Sequence, residues 1–379
     1  MPGNSHFRKF TKAISFSAAI LFLLPVPRAQ ADSLSPSVLA LFPKNASEIA
    51  YSDFAHARQL PWFAQFKHQT LPAGFGELDS FLSSVGIDPN KQIDQIAWAL
   101  VASDDPADAA IDAAENAAQN SPSQNVADTT AATQNSAAGA PSHPANSAPT
   151  AIHHKLPAYD DLLAIVLGQF DTQSSEAILE KNKAPSIEWL GHTLYQCGSS
   201  CHDFYFMFLD SSTLAFGKAS LLEHMLGVRS GGEESVFSNK VLSPLIRKIN
   251  DGGIFWGVLN DAGTSQALLQ LIPEAAKFPD AAKLISKMQN MAISIEGDDE
   301  LHAELDVSAA PEDAVPLTQL MQAGLLFRQF QASQDDPQFA RILRNVTIVP
   351  GGPGIQITFD ITSDQMVSLI QHNTFSPKI

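Results

Sequence analysis

The stretch MAISIEGDDELHAELDV, residues 291–307, decides the fold class. Apolar and polar side chains alternate on both sides of an acidic turn, first over 291–297 and again over 301–307. Alternation with a period of two predicts strands that are buried on one side and solvated on the other. The four acids at the turn (Glu296, Asp298, Asp299 and Glu300) lack the ligand spacing of a calcium loop, which favours a solvated turn.

A helix and a second hairpin follow this pair of strands. Pro311 with Glu312 and Asp313 is typical of a helix start, and apolar residues then recur every three or four positions, which predicts packing onto the sheet. Pro316 leaves the exact start of this helix open. The segments 345–349 and 355–361 flank the turn PGGPG and predict a hairpin, followed by a short helix over 363–371. The predicted inner face of that hairpin consists of Ile355, Ile357, Phe359 and Ile361.

The same order of elements fits the first part of the chain. We predict strands at 95–102, 162–170, 192–197, 203–209 and 213–217, with helices over 174–182 and 219–226. Each half also opens with a predicted strand, at 47–54 and at 253–260, and a helix follows each of these strands. The sequence therefore predicts an α+β fold of two similar halves, each an antiparallel sheet with helices packed on one face, related by internal duplication. The halves are residues 32–230 and 251–379, and a helix within 231–250 connects them.

One segment differs in composition from the rest of the chain. Residues 104–159 consist mostly of Ala, Ser, Asn, Gln, Asp, Thr and Pro. Such a segment buries too little apolar surface to offset its ordering entropy, so we predict a disordered insertion. Because strand-like segments flank it, the insertion is expected to leave the connection between two neighbouring strands and not to divide domains.

The N-terminus resembles a secretory signal peptide over residues 1–31. Basic residues precede the apolar run 13–27, which is too short to span a membrane. Ala29 and Ala31 form a small-x-small cleavage site that would leave Asp32 as the new N-terminus. These features predict export to a periplasm or to the cell exterior. The alternative is an uncleaved anchor; no later stretch is predicted to cross a membrane.

The chain is acidic, with a net charge of −17. Removal of the leader, which has four basic and no acidic residues, would lower the charge to −21. A protein of this charge repels nucleic acid and anionic lipid surfaces at long range, so we predict no nucleic-acid partner.

Two cysteines occur, Cys197 and Cys201, in the stretch QCGSSCHDF. Exported proteins meet oxidising conditions, and Gly-Ser-Ser between two strand-like segments predicts a hairpin turn that brings the cysteines together. We therefore predict a disulfide, Cys197–Cys201. A zinc site with His192 or His202 and a redox pair remain alternatives, although neither spacing is typical.

The sequence contains no G-x-S-x-G, S-x-x-K or H-E-x-x-H pattern. Asp53, Asp171, Asp210 and Asp261 follow apolar strands, where either a functional carboxylate or a turn residue is expected, and we favour turns. No catalytic residue, cofactor or metal is therefore predicted. The leading hypothesis is an exported, non-enzymatic protein that binds a small apolar ligand or a cell-envelope partner. The alternatives are an exported hydrolase with dispersed catalytic residues and a purely structural envelope component.

Overall fold

The structure is a computed structural model that describes residues 33–64, 74–101, 162–197, 204–271 and 283–371. The predicted signal peptide with Ala29, Ala31 and Asp32, the predicted disordered insertion at 104–159, and Cys201 lie outside the described residues. The described residues belong to one compact unit.

The strands of the described part form a single twelve-stranded antiparallel sheet. In chain order they are β1 (Ala46–Asp53), β2 (Ile93–Val101), β3 (Leu162–Gly168), β4 (Ser186–Trp189), β5 (His192–Gln196), β6 (Phe204–Phe208), β7 (Thr213–Lys218), β8 (Phe255–Leu259), β9 (Asn290–Gly297), β10 (Glu300–Ser308), β11 (Thr347–Gly351) and β12 (Gly354–Thr362).

Helices accompany the sheet on both sides. They are α1 (Pro36–Leu39), α2 (Phe54–Ala57), α3 (Gly74–Ser84), α4 (Pro89–Gln92), α5 (Thr172–Lys181), α6 (Ala219–Arg229), α7 (Leu242–Ile249), α8 (Asp261–Leu271), α9 (Pro311–Asp335), α10 (Pro337–Arg344) and α11 (Ser363–Gln371). The predicted α+β class with antiparallel strands is confirmed.

The two predicted sheets are continuous with each other. The strand order is β11-β12-β10-β9-β8-β1-β2-β3-β7-β6-β5-β4, so the halves meet where β1 pairs with β8, with Ala50 opposite Gly257. Apart from the additional β4–β5 hairpin, both halves have the same order of strands. The duplication itself stays a prediction, because a shared topology does not establish common descent. Moreover, the final helices of the halves, α6 and α11, pack in different clusters on opposite sides of the sheet.

We call the side of the sheet that carries Ala50 and Trp98 the front, and the side that carries Tyr51 the back. In the first half both sides are buried: all residues from Leu162 to Val166 are solvent-inaccessible. Side chains of α3 and α5 cover the front, and side chains of α6 and α7 cover the back. Strands that are apolar on both sides need two covering layers, so helices lie on both faces here and not on one.

In the second half the predicted one-sided burial is confirmed. Leu301, Leu305 and Val307 on β10 are buried at the front, where α9 contributes Leu317 and Met321 to the same core. The alternate β10 residues, such as His302 and Glu304, are partly exposed at the back. The predicted inner face of the β11–β12 hairpin is also correct, with Ile355, Ile357 and Ile361 buried and Phe359 packed against the core.

Several elements differ from the sequence prediction. The connecting segment contains a 3-10 turn at Val236–Ser238 and becomes α-helical only at Leu242. The helix that begins at Pro311 continues to Asp335 with Pro316 inside it, and α10 follows at once, capped by Asp336. The short edge strand β4 was not predicted, because four residues are too few for a periodic signal.

Replacing Leu163 by alanine tests the double burial of β3. Leu163 is 0% exposed, whereas Leu326 on α9 is 65% exposed. We expect Leu163→Ala to lower the free energy of unfolding by about 2–5 kcal/mol, and Leu326→Ala to change it by less than about 0.5 kcal/mol. Equilibrium unfolding in urea measures both, and equal effects would contradict the assigned burial.

Candidate functional site

The most exposed apolar surface of the described residues lies on α9. Val315, Leu326, Phe327 and Phe330 are 51%, 65%, 52% and 64% exposed; we call these four residues the outer face of α9. Val315, Leu326 and Phe330 are eleven and four positions apart, so they lie along one line of an α-helix, with Phe327 beside it. Isolated exposed apolar residues are common in proteins, but the neighbouring exposed residues Leu326, Phe327 and Phe330, with Val315 about three turns before them on the same side, mark an interaction surface.

The opposite side of α9 is firmly attached to the sheet. Leu317 is 0% and Met321 is 6% exposed, and both pack in the second-half core. Gln322 donates a hydrogen bond from Nε2 to the carbonyl oxygen of Ile348 (2.8 Å), and Gln329 donates one to Leu343 O (2.8 Å). The orientation of the helix is therefore fixed by packing and by hydrogen bonds, and the outer face points away from the core in a defined direction.

The outer face is also nearly free of charge. Between residues 314 and 334 the only charged residue is Arg328. A partner can cover this face without desolvating carboxylates or ammonium groups, which is the main cost of burying a charged surface.

A carboxyl group lies among apolar residues near the centre of the sheet. Glu48 on β1 is opposite Leu100 and Leu259, and the Trp98 side chain hydrogen-bonds it. Burial raises the pKa of Glu48 to about 7, and the Trp98 hydrogen bond opposes this rise. Glu48 therefore changes its charge near neutral pH, at the place where the halves meet.

A shallow cleft of about 160 Å³ lies at the back, beside the end of α7. Its lining residues are Lys248, Ile249, Asp251, Ala292, Ser294, Glu304 and Asp306. Lys248 forms an ion pair with Asp306, and this hydrogen bond raises the pKa of the Lys248 ammonium. The charges of the cleft are thus partly paired, and its lining suits water or a small polar molecule better than an apolar ligand.

Three histidines of the described part form pairs with carboxylates. The distances are 2.6 Å from His56 Nε2 to Asp298, 2.9 Å from His224 Nδ1 to Glu233 and 2.7 Å from His302 Nδ1 to Asp360. The Asp360 hydrogen bond raises the pKa of His302, with desolvation acting in the opposite direction. Across the described ranges, no group of three or more His, Cys, Asp or Glu side chains is placed to hold a metal ion.

The four aspartates at strand ends have structural roles. Asp53 and Asp171 cap α2 and α5 by accepting the backbone N–H groups of His56 and Ser174. Asp210 accepts the Ser212 N–H (2.7 Å), and Asp261 begins α8. Asp210 thus lies in a turn as predicted, whereas Asp53 and Asp171 are helix caps and Asp261 is the first residue of a helix.

The cysteine hairpin is confirmed as a hairpin, but its register differs from the one expected. Cys197 is 0% exposed and its N–H donates to Phe204 O (3.0 Å), so residues 198–203 connect the strands and Cys197 is opposite Phe204. In the strand register the residue opposite Cys197 is thus Phe204, which differs from the expected pairing across a three-residue turn. No described cysteine is a free thiol. The pairing of Cys197 with Cys201 stays a prediction, because Cys201 lies outside the described residues.

Sequence reasoning had missed both the outer face of α9 and Glu48. The helical period had predicted the inner side of α9 correctly, and the apolar residues left over on the other side (LLF at 325–327 and Phe330) were the available signal. Glu48 was recognisable as an acid on the apolar side of SEIAYSDF, two residues before Ala50.

Comparison with known proteins gave structural neighbours only. No family model matches the chain, and no curated protein matches it. The chain is similar to crystal form I of TP0453, with a TM-score of 0.45 and 10% identity over 92% of this chain and 99% of that one. Crystal form III gives a TM-score of 0.45 and 9% identity over 90% and 99%. At such identity no residue of the site can be transferred. None of the helices in the described ranges is long and apolar enough to cross a membrane.

The raised pKa of Glu48 predicts a dependence of stability on pH. Since the folded state holds this proton up to about pH 7 while the ordinary value is 4.5, the free energy of unfolding should fall as the pH rises through this window. The loss is on the order of 2 kcal/mol, because one pKa unit corresponds to about 1.4 kcal/mol and partial exposure reduces the effect. Urea unfolding from pH 4 to 8 should show that Glu48→Gln removes this part of the decline, and parallel curves for the two proteins would contradict the assignment.

The His302–Asp360 pair gives the same sign in a higher pH range. Its stabilising contribution should be complete below the ordinary histidine pKa of 6.5 and should disappear as the pH rises through the higher folded value. Both side chains are well exposed, so the effect on stability is less than about 1 kcal/mol and the titration itself is the better readout. In an NMR titration the His302 midpoint should lie above 6.5 and fall in Asp360→Asn, and a midpoint that is the same in both proteins would contradict the assignment.

Proposed function

We propose that the protein is an exported, non-enzymatic binding protein that attaches to a protein of the cell envelope through the outer face of α9. The observation that carries this proposal is the row Val315, Leu326 and Phe330, each more than half exposed on a helix whose other side is fixed in the core. Export is supported by the signal-like N-terminus alone. Large apolar residues at the centre of a rigid surface are what binding hot spots consist of.

A partner surface fits this geometry better than a small apolar ligand. Ligand pockets are usually apolar and have volumes of about 300–1,000 Å³. The cleft beside Lys248 is smaller, at about 160 Å³, and is lined mainly by charged and polar side chains. The outer face of α9, in contrast, is convex and apolar, as expected for a helix that enters a groove of another protein.

The charge of the chain favours a protein partner over a lipid surface. With a net charge of −17, the protein is repelled from anionic membranes at long range. Between residues 314 and 334, α9 adds only Arg328 to offset that repulsion. A protein groove lined with apolar side chains needs no such compensation, so we favour it as the occupant.

The hydrolase alternative has less support. It requires a histidine that hydrogen-bonds both a carboxylate and a serine within a pocket. The described histidine pairs involve carboxylates, and in the part of the chain that the structure describes none of the three imidazoles is bonded to a serine hydroxyl. Each pair also lies at the surface.

Hydrogen–deuterium exchange of α9 tests this function. We expect the exchange of α9 to slow when the purified protein is mixed with detergent-free envelope membranes from the source cell, and the protection to disappear when those membranes are first treated with protease. Leu326→Asp with Phe330→Asp should weaken co-sedimentation at least about 30-fold, since loss of a hot spot costs about 2 kcal/mol or more.

The matched control is Gln173→Asp with Ser220→Asp, which adds the same charge at exposed polar positions of α5 and α6 in the first half and should bind normally. Protection by protein-free vesicles of envelope lipids would replace the protein partner by a lipid surface. Absence of protection in every mixture would contradict a docking role for α9.

A further inference from the structure

The two edge strands of the sheet differ in whether their outward backbone N–H and C=O groups are covered. At the β11 end, the two-residue turn between β11 and β12 directs the N–H and C=O groups of Ile348 and Pro350 outward. Gln322 on α9 donates a hydrogen bond from Nε2 to the carbonyl oxygen of Ile348 (2.8 Å), and Pro350 lacks a backbone N–H. This edge is therefore closed to a further strand.

The β4 end has no such protection among the described residues. All four residues of β4 are exposed, with Ile187 and Trp189 at 39% and 42%. Leu190, in the turn after β4, is 64% exposed and has a φ of +47°, a conformation that is unfavourable for a leucine. A hairpin built for structure alone would have Asn or Asp at this position, so the exposed apolar residues of this hairpin require another explanation.

The hydrogen-bonding direction of β4 follows from its turn. Trp189 and His192 flank a two-residue turn and form a narrow, doubly bonded pair, and the bond from Gln196 N–H to Pro185 O (2.8 Å) continues the same alternation. Ile187 therefore also bonds toward β5, while the backbone groups of Ser186 and Glu188 point away from the sheet. These two residues offer two donors and two acceptors to a neighbouring strand.

We propose that β4 pairs with β4 of a second copy of this chain, antiparallel and symmetric about Ile187. In this register Ser186 of each copy is opposite Glu188 of the other, so all four outward groups of both chains are satisfied in four hydrogen bonds. Shifting the register by two residues toward the turn would place Glu188 against Glu188, which is electrostatically unfavourable.

The side chains are complementary in the same register. Ile187 faces Ile187 of the second copy, and Trp189 faces Pro185, so apolar residues meet apolar residues on one side of the extended sheet. On the other side Glu188 meets Ser186, whose hydroxyl can donate to the carboxylate. The pairing thus covers the exposed Ile187 and Trp189 and leaves no like charges directly opposite each other.

The interface is short, and we expect a weak dimer. A four-residue edge buries less than the roughly 800 Å² per partner that stable complexes bury. The net charge of −17 on each chain also opposes association, so that added salt should strengthen the dimer. Sedimentation equilibrium of the wild-type protein, from micromolar to millimolar concentration, should show a reversible monomer–dimer transition.

Glu188→Pro is the first variant. The N–H of Glu188 points away from β5, and proline lacks this group. The β4–β5 pairing within the chain is therefore retained, while two of the four intermolecular hydrogen bonds are lost. We expect the dissociation constant to rise at least about tenfold. Leu326→Asp with Phe330→Asp should leave the dimer unchanged, which separates this inference from the proposed role of α9.

Paired cysteine variants test the register directly. In a non-hydrogen-bonded antiparallel pair the Cα atoms are about 4.5 Å apart, within the range that a disulfide accepts. Ile187→Cys should therefore give a covalent dimer on mild oxidation, whereas Trp189→Cys, similarly exposed, should not, because its counterpart is Pro185. A protein that stays monomeric at all concentrations, a dimer unaffected by Glu188→Pro, or equal cross-linking of the two cysteine variants would overturn the proposal.

Discussion

The pairing of β1 with β8 is the interaction on which the rest of the structure depends. Five residue pairs, from Glu48–Leu259 to Ser52–Phe255, join two halves of the chain into one sheet. At this joint Tyr51 and Trp256 are opposite each other, both 0% exposed, with ring centroids 5.6 Å apart. Because strand pairing supplies backbone hydrogen bonds that neither half could otherwise satisfy at this edge, the halves are parts of one folding unit.

The burial of the two halves determines where each helix packs. Strands β2 and β3 are apolar on both sides and take helices on both sides, whereas β9, β10 and β12 alternate and take helices mainly on the front, with α7 contacting only the back of β9 and β10. Since α9 has only the front of its half to cover, one side of this 25-residue helix is enough to complete that core. The apolar residues on its outer face are therefore not needed for folding, which is the physical reason to assign them a partner.

Much of this architecture is predictable from local sequence, and the main failures arise from contacts between residues that are far apart along the chain. The strands around the acidic turn, the β11–β12 hairpin and the start at Pro311 follow from periodicity and turn chemistry. The union of the two sheets does not, because β1 and β8 are some 200 residues apart along the chain and their pairing leaves no trace in either segment. Likewise, the sequence shows Glu48 as an acid on an apolar strand, but its raised pKa results from burial in the folded sheet, which the local sequence does not show.

The exposed apolar residues of the described part are concentrated at the two ends of the sheet, and this gives the two proposals a common consequence. The outer face of α9 belongs to the helix that protects the β11 end, and Ile187 and Trp189 lie at the β4 end. Pairing through β4 places the two α9 helices at the far ends of a sheet of double width. With about 4.8 Å per strand, the two outer faces are on the order of 100 Å apart. Such a dimer cannot direct both faces to one small partner, but it can bind two copies of a partner that is repeated across an envelope surface. There the second contact forms at a high effective concentration, and two weak interfaces give firm attachment.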